Sequence, residues 1–170
     1  LGGVIARGWR HVFLQPSLAP MNASAPDILL VEDNQSDVEL FMLAVLRNKS
    51  ALTVRVARDG VEVIDLLLGN ENITEDTQNT LPRLVLLDLN MPRLNAFEVL
   101  KRLHADERTR HLPVVIFSSS DQSSDELEAQ RLGANGYVRK PLEFKGLCAM
   151  LAQFERDWLT GASGSANTAL

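Results

Sequence analysis

Cysteine is almost absent from this 170-residue chain, which contains Cys148 alone. One thiol cannot form an internal disulfide, so a fold stapled by disulfides within these residues is excluded. We expect Cys148 to be a small core residue, and we expect the protein to be cytoplasmic, where thiols stay reduced.

Long apolar runs and an excess of positive charge are missing as well. No stretch approaches the roughly 20 apolar residues that a membrane-spanning helix needs. The net charge of −5 argues against direct nucleic-acid binding, because phosphate recognition uses clustered Lys and Arg. We therefore expect neither a membrane nor a nucleic acid as a partner.

The first residues carry little that predicts structure. The apolar run Val12–Leu14 is too short for a signal peptide, and the first methionine is Met21. We expect residues 1–26 to be an N-terminal extension without fixed structure, residues 27–159 to form the folded domain, and residues 160–170 to be a tail.

Short apolar runs recur along the predicted domain and are typical of strands buried on both faces. The clear runs are Ile28–Val31, Leu84–Leu87 and Val114–Phe117, and the weaker ones are Val54 with Val56 and Tyr137 with Val138.

Helix signals alternate with these runs. Four possible capping residues, each followed three positions later by Glu, are Ser36, Asp59, Asn95 and Ser123. A last helix is predicted from about Leu142 to Trp158, and the polar segment 69–82 reads as a solvated insertion. Five strand–helix repeats predict an α/β fold with a doubly wound, five-stranded parallel sheet and helices on both faces.

Reactive side chains follow the predicted strands at their carboxyl ends, where open α/β sheets bind ligands. They are Glu32 and Asp33 after the first strand, Asp88 after the third, Ser118 at the fourth, and Lys140 after the fifth. Three converging carboxylates repel one another unless a cation joins them, and oxygen ligands suit Mg²⁺. Lys and Ser could stabilise a transferring phosphoryl group, for which Asp is a known nucleophile.

Four stretches of the chain resemble the receiver domains of bacterial response regulators. They are Asp27-Ile-Leu-Leu-Val-Glu-Asp-Asn34, Leu86-Leu-Asp-Leu-Asn-Met-Pro92, Pro113-Val-Val-Ile-Phe-Ser118 and Gly133-Ala-Asn-Gly-Tyr-Val-Arg-Lys-Pro141. The resemblance spans residues 27–158 and implies a flavodoxin-like sheet of strand order 2-1-3-4-5. Within the family, the chain is similar to the single-domain regulators that accompany phytochromes.

The resemblance implies a role for each matching residue. Asp88 corresponds to the phosphoacceptor and Asp33 to a direct Mg²⁺ ligand. Glu32 corresponds to a metal-site acid that often acts through water. Asn90 stands where the family uses a backbone carbonyl as a metal ligand.

Further roles follow from the same resemblance. Lys140 corresponds to the residue that contacts the phosphoryl group, and its bond to Pro141 is expected to be cis. Ser118 and Tyr137 correspond to the switch pair. The side chains of Asn90 and Ser120 occupy positions that tune autodephosphorylation.

The expected function is that of a stand-alone phosphoacceptor rather than a dedicated enzyme. A sensor histidine kinase is the expected donor, and the phytochrome-associated subgroup points to a bacteriophytochrome. The expected output is a changed face of helix four, strand five and helix five, with a homodimer through the C-terminal helix as one expectation. Phe154 and Trp158 are the candidate anchors of that dimer.

Other functions fit the residues less well. A haloacid-dehalogenase phosphatase would need a second Asp where Asn90 stands, and a flavodoxin would need a phosphate loop where Glu32 and Asp33 stand. A degenerate receiver that only binds partners is disfavoured because the reactive positions are filled. Ala96 replaces a glycine common in the family, so the loop after Asp88 is expected to take a different path.

Overall fold

The computed structural model describes residues 25–69 and 81–159, with Trp158 and Leu159 described by their backbone alone. The predicted N-terminal extension therefore lies almost wholly outside the described residues. Residues 70–80 of the predicted insertion and the predicted tail from residue 160 lie outside them as well.

Five parallel strands form a single sheet in the order β2-β1-β3-β4-β5, which confirms the predicted fold class. The strands are β1 (Ile28–Val31), β2 (Val54–Ala57), β3 (Leu84–Leu87), β4 (Val114–Ser118) and β5 (Gly136–Arg139). β1 and β3 are buried along their whole length, as expected for central strands of a parallel sheet covered on both faces.

Five α-helices connect and follow the strands. They are α1 (Gln35–Arg47), α2 (Gly60–Leu68), α3 (Ala96–Ala105), α4 (Ser123–Arg131) and α5 (Phe144–Phe154). A π-helical turn, Glu155–Leu159, extends α5. None of the helices in residues 25–69 and 81–159 is long and apolar enough to cross a membrane.

Two of the four predicted helix caps are confirmed. The Asp59 side chain accepts hydrogen bonds from the backbone N–H groups at the start of α2, and Asn95 does the same for α3. The prediction for Ser36 is wrong, because Asn34 caps α1 by accepting from the Ser36 N–H. The prediction for Ser123 is also wrong, since α4 begins at that residue and has no side-chain cap.

The side chains of each central strand alternate between two apolar layers, as the two-residue period of a strand requires. Val85 and Leu87 of β3 face the layer formed with α2, α3 and α4. Leu84 and Leu86 face the opposite layer, formed with α1 and α5. Phe154 is buried in that second layer, so its side chain offers no anchor for self-association.

The register of the sheet positions the residues that follow β1 and β3. Val31 pairs with Leu87, so Glu32 and Asp88 leave their strands at the same level. The Asp88 N–H donates to the Val31 carbonyl at 3.1 Å, which holds the two strand ends together beyond the last pair. The fold therefore brings the acids after β1 and β3 to one edge.

Gly60 gives a test of how tightly α2 packs against the loop between β3 and α3. A Cβ added at Gly60 would lie 2.3 Å from the Leu94 carbonyl oxygen and 2.8 Å from the Leu94 Cβ. Replacing a helical Gly by Ala normally stabilises a helix, but overpacking costs about 1–3 kcal/mol. Gly60→Ala should therefore lower the free energy of unfolding in a urea titration.

Gly136→Ala is the matched control for this measurement. A Cβ there would lie 3.5 Å from the nearest atom of Val115, which is an ordinary contact. We expect a much smaller loss of stability than for Gly60→Ala. Equal losses in the two variants would contradict the close approach of α2 to the loop.

Candidate functional site

Three carboxylates meet at the carboxyl edge of the sheet. One oxygen from each of Glu32, Asp33 and Asp88 lies within 4.8 Å of the others. Glu32 is 1% exposed and Asp88 is 5% exposed, while Asp33 is open to solvent. Asp88 Oδ1 is buried and has no hydrogen-bond partner. An oxygen-rich group with an unsatisfied buried acceptor and one solvent-facing member suits a hydrated divalent cation such as Mg²⁺.

Lys140 is the cation that the sheet brings to these acids. Its ammonium donates to Glu32 Oε2 at 2.5 Å and to Asp37 Oδ2 at 2.9 Å. It lies 3.7 Å from Asp88 Oδ1, close enough for an ion pair but too far for a hydrogen bond. The predicted set of Glu32, Asp33, Asp88 and Lys140 is thus brought together by the structure.

Asp37 is a member of the site that the sequence reasoning missed. It lies in the first turn of α1, which begins at the same edge of the sheet as the carboxylates. One sequence feature could have identified Asp37: it is an acidic residue about one helical turn after the Glu32–Asp33 pair, where a helix N-terminus favours negative charge.

Burial dominates the ionisation of the acids in the site. It raises the pKa of Asp88, although the Lys140 ammonium and the backbone N–H groups of Leu89 and Asn90 act in the opposite direction. Burial likewise raises the pKa of Glu32, opposed by its hydrogen bond from Lys140. A buried carboxyl group that ionises reluctantly marks a place where added positive charge is favourable.

The Lys140 ammonium responds to two opposed influences. Burial by itself lowers its pKa, but the hydrogen bonds to Glu32 and Asp37, together with the negative charges of Asp88 and Glu32, outweigh burial, so the pKa of Lys140 is raised. The side chain therefore stays protonated and keeps its positive charge beside the carboxylates at neutral pH.

Ser118, Ser120 and Tyr137 form a connected hydrogen-bond network beside the carboxylates. Ser118 is fully buried, and its Oγ accepts from the Ser120 N–H at 3.2 Å. The Tyr137 hydroxyl donates to the Ser120 carbonyl at 3.2 Å, and its ring is half-buried. The Ser120 hydroxyl donates to Asp125 in the first turn of α4 at 2.6 Å. Ser120 thus joins the end of β4 to both β5 and α4.

Two expectations about the backbone need correction. No peptide bond in the described residues is cis, so the bond between Lys140 and Pro141 is trans rather than cis. The trans form is the preferred isomer of a bond before proline by about 0.5–1 kcal/mol. Ala96 begins α3 and does not have positive φ, so the conformational reason for expecting a different loop path does not apply, and the path itself stays a prediction.

Arg93 takes the positive φ in the loop after Asp88, at 66°. Its guanidinium donates to the Asp59 carboxylate at the start of α2. This hydrogen bond lowers the pKa of Asp59. The loop that follows Asp88 is therefore tied to α2 by an ion pair.

The chain belongs to the response regulator receiver domain family, whose model matches residues 28–152. The fold, the strand order and the acidic edge described above agree with this assignment. Asn90, two residues after Asp88, has an exposed side chain, and the metal role of its carbonyl stays a prediction.

Three relatives place the chain more closely within the family. The probable methanogenesis regulatory protein FilR2 of Methanothrix harundinacea is 36% identical over 132 residues, covering 78% of this chain and 83% of that protein. Response regulator Rcp1 of Synechocystis is 30% identical over 132 residues, covering 78% and 88%. The phosphorylated cyanobacterial phytochrome response regulator RcpA has a solved structure with a TM-score of 0.70 and 31% identity, covering 82% of this chain and 98% of that one. The chain is thus similar to phytochrome response regulators.

Asp88→Asn should stabilise the fold at neutral pH in the absence of added divalent cation. Because burial raises the pKa of Asp88, protonation of this group favours the folded state below the pKa of the unfolded chain, and that contribution is lost as pH rises through the folded-state pKa. A neutral isostere removes the buried charge, and we expect a gain of about 1 kcal/mol in the free energy of unfolding.

Urea unfolding at pH 7 and at pH 4 measures this gain. The stabilisation should shrink at the lower pH, where Asp88 is closer to neutral in the parent protein. Asp121→Asn, at an exposed acid in the loop before α4, is the control and should change little. If Asp88→Asn instead lowers the free energy of unfolding at pH 7, the negative charge on Asp88 does not destabilise the folded state, and the prediction is contradicted.

Proposed function

We propose that this protein is a two-component receiver that accepts a phosphoryl group on Asp88 from a histidine kinase, with Mg²⁺ bound beside it. The observation that carries the proposal is the buried Asp88 carboxylate, flanked by Glu32 and Asp33 and facing the Lys140 ammonium at 3.7 Å. This combination supplies a nucleophile, ligands for a cation and a positive charge for the phosphoryl oxygens.

The transfer itself needs little covalent chemistry from the protein. A carboxylate oxygen of Asp88 attacks the phosphorus, the bond from phosphorus to the donor nitrogen breaks, and its electron pair stays with the donor imidazole. Glu32, Asp33 and Asp88, with the Asn90 carbonyl, would hold Mg²⁺, which supplies charge neutralisation to the phosphoryl oxygens. By placing the cation beside Asp88, these residues would also fix the direction from which the Asp88 oxygen attacks the phosphorus.

Lys140 and Ser118 would stabilise the product. The ammonium lies 3.7 Å from Asp88 Oδ1, so it would be within reach of a phosphoryl group added to this carboxylate. The Ser118 hydroxyl ends β4, next to β3, and its O–H can turn to donate to a phosphoryl oxygen. Both contacts are absent without the phosphoryl group, so they favour the phosphorylated conformation.

The Ser120 network supports a route from Asp88 to the outer face of the domain. Reorientation of Ser118 would disturb its contact with the Ser120 N–H, and Ser120 also holds Tyr137 and Asp125. These two residues lie on β5 and α4, which supports the proposal that phosphorylation alters the face built from α4, β5 and the adjoining α5. The Tyr137 ring is already half-buried in this structure. Phosphorylation would therefore change the hydrogen bond of the Tyr137 hydroxyl to Ser120 as well as the rotamer of the side chain.

The comparisons support the choice of donor and cation. A relative is a phosphorylated cyanobacterial phytochrome response regulator, and a structure of Rcp1 was determined as its Mn²⁺-bound form. A phytochrome-type histidine kinase is therefore the proposed donor, and Mg²⁺ or Mn²⁺ the proposed cation. A homodimer through the C-terminal helix stays a prediction, and it now depends on Trp158, whose side chain lies outside the described residues.

Incubation with acetyl phosphate and Mg²⁺ tests the proposal without knowledge of the kinase. Intact-mass measurement should show a single phosphoryl adduct that requires Mg²⁺ and disappears in Asp88→Asn, because the attacking oxygen is lost. Lys140→Ala should reduce the adduct at least about tenfold, since a charge-assisted contact worth roughly 1.5–3 kcal/mol is removed.

Asp65→Asn is a suitable control, because it removes one carboxylate from α2 away from the site and should form the adduct normally. Rapid hydrolysis is separated from lack of reaction by beryllofluoride, a stable mimic of an aspartyl phosphate. A parent protein that neither gains mass nor binds beryllofluoride would contradict the proposal.

A further inference from the structure

Lys140 is shared between two carboxylates of different character. Its ammonium has three N–H donors, of which one goes to Glu32 and one to Asp37. The remaining donor has no hydrogen bond to Asp88 at 3.7 Å. The structure therefore shows Lys140 drawn toward two acids, and not bonded to the proposed phosphoacceptor.

Glu32 and Asp37 differ in how easily each could release the ammonium. The Glu32 side chain is 1% exposed, so without Lys140 it would be an unpaired buried charge. The Asp37 side chain is 36% exposed, so water can replace the ammonium at little cost. The N-terminal turn of α1 also favours a negative charge on Asp37 whether or not Lys140 is present.

Asp37 stands apart from the acids proposed to hold the cation. Within the described residues, the carboxylates close enough to share an ion are Glu32, Asp33 and Asp88, and Asp37 is not among them. At the site it accepts a hydrogen bond from Lys140, across 103 residues of sequence. A role for Asp37 therefore has to act through Lys140.

We propose that Asp37 is a positioning residue that holds Lys140 in the unphosphorylated state, releases it when a phosphoryl group forms on Asp88, and so opposes phosphorylation. This inference rests on the function proposed above. The phosphoryl oxygens are strong acceptors with negative charge, and they compete with Asp37 for the same ammonium. The competition is weighted toward the phosphoryl group because Asp37 is the more exposed partner.

The opposite role, in which Asp37 orients Lys140 for the phosphoryl group, is disfavoured by the geometry. The 2.5 Å hydrogen bond to buried Glu32 already fixes the ammonium beside Asp88. Asp37 adds a second acceptor 2.9 Å from the ammonium, and this acceptor competes with an incoming phosphoryl group for Lys140. Removal of Asp37 therefore favours phosphorylation.

Beryllofluoride binding at saturating Mg²⁺ tests the inference, measured by titration calorimetry on the full chain. Asp37→Asn should bind about two- to fivefold more tightly than the parent protein, the size expected for loss of a partly exposed ion pair. Glu39→Gln is the matched control, because it removes a negative charge from α1 at a residue that accepts a hydrogen bond from Gln35 rather than from Lys140. It should leave the affinity unchanged.

The dependence on Lys140 separates positioning from a general effect on folding. In a Lys140→Ala background, Asp37→Asn should lose its effect, so that the double-mutant cycle gives a coupling of the same two- to fivefold size. Thermal unfolding of each variant shows whether the fold is intact.

The outcomes distinguish this inference from the proposed function. A parent protein that does not bind beryllofluoride overturns both. Binding by the parent, together with unchanged or weaker binding by Asp37→Asn, overturns the role of Asp37 alone. An equal gain in Glu39→Gln would also overturn it, because the effect would then be one of net charge.

Discussion

The sheet holds three negative charges together, and the site depends on that constraint. β1 and β3 are paired in register, so Glu32 and Asp33 leave the sheet beside Asp88. The strands are buried on both faces, and neither can shift without moving its side chains out of the apolar layers. Packing of the core thus keeps carboxylates within 4.8 Å of one another, an arrangement that electrostatics alone would oppose.

The positive charge of Lys140 offsets part of the repulsion among these carboxylates. Its ammonium pairs with Glu32 and Asp37 and stays 3.7 Å from Asp88, whose Oδ1 has no hydrogen-bond partner. One ammonium is too little positive charge for three neighbouring carboxylates, which explains why a divalent cation suits the edge. Under the function proposed above, the same shortage would make a phosphoryl group on Asp88 a competitor for Lys140, the cation that Glu32 and Asp37 already share.

Much of this arrangement could be predicted from the sequence, because it follows from local patterns. Apolar runs located the five strands, and the polar residues directly after them located the edge. The caps at Asp59 and Asn95 were also local, since each side chain bonds to N–H groups two or three residues later. The family resemblance then supplied the strand order, which no local pattern determines.

Features that depend on distant contacts were not predictable in this way. Asp37 meets Lys140 across 103 residues, and its role appears only when α1 is packed against the sheet. Arg93 takes positive φ where no glycine marks the turn, and its ion pair with Asp59 is again a contact between separate loops. The cap of α1 was misassigned because Asn34 and Ser36 are both good capping residues, and sequence spacing does not decide between them.

The effect of Mg²⁺ on thermal unfolding tests the central claim most directly. If the three carboxylates are held under repulsion and form a cation site, Mg²⁺ should raise the unfolding midpoint of the parent protein in proportion to the logarithm of its concentration above the dissociation constant. Asp33→Asn should lose most of this rise, and NaCl at matched ionic strength should not reproduce it. A midpoint that does not change up to about 10 mM Mg²⁺ would contradict the account, because the edge would then hold no cation of useful affinity.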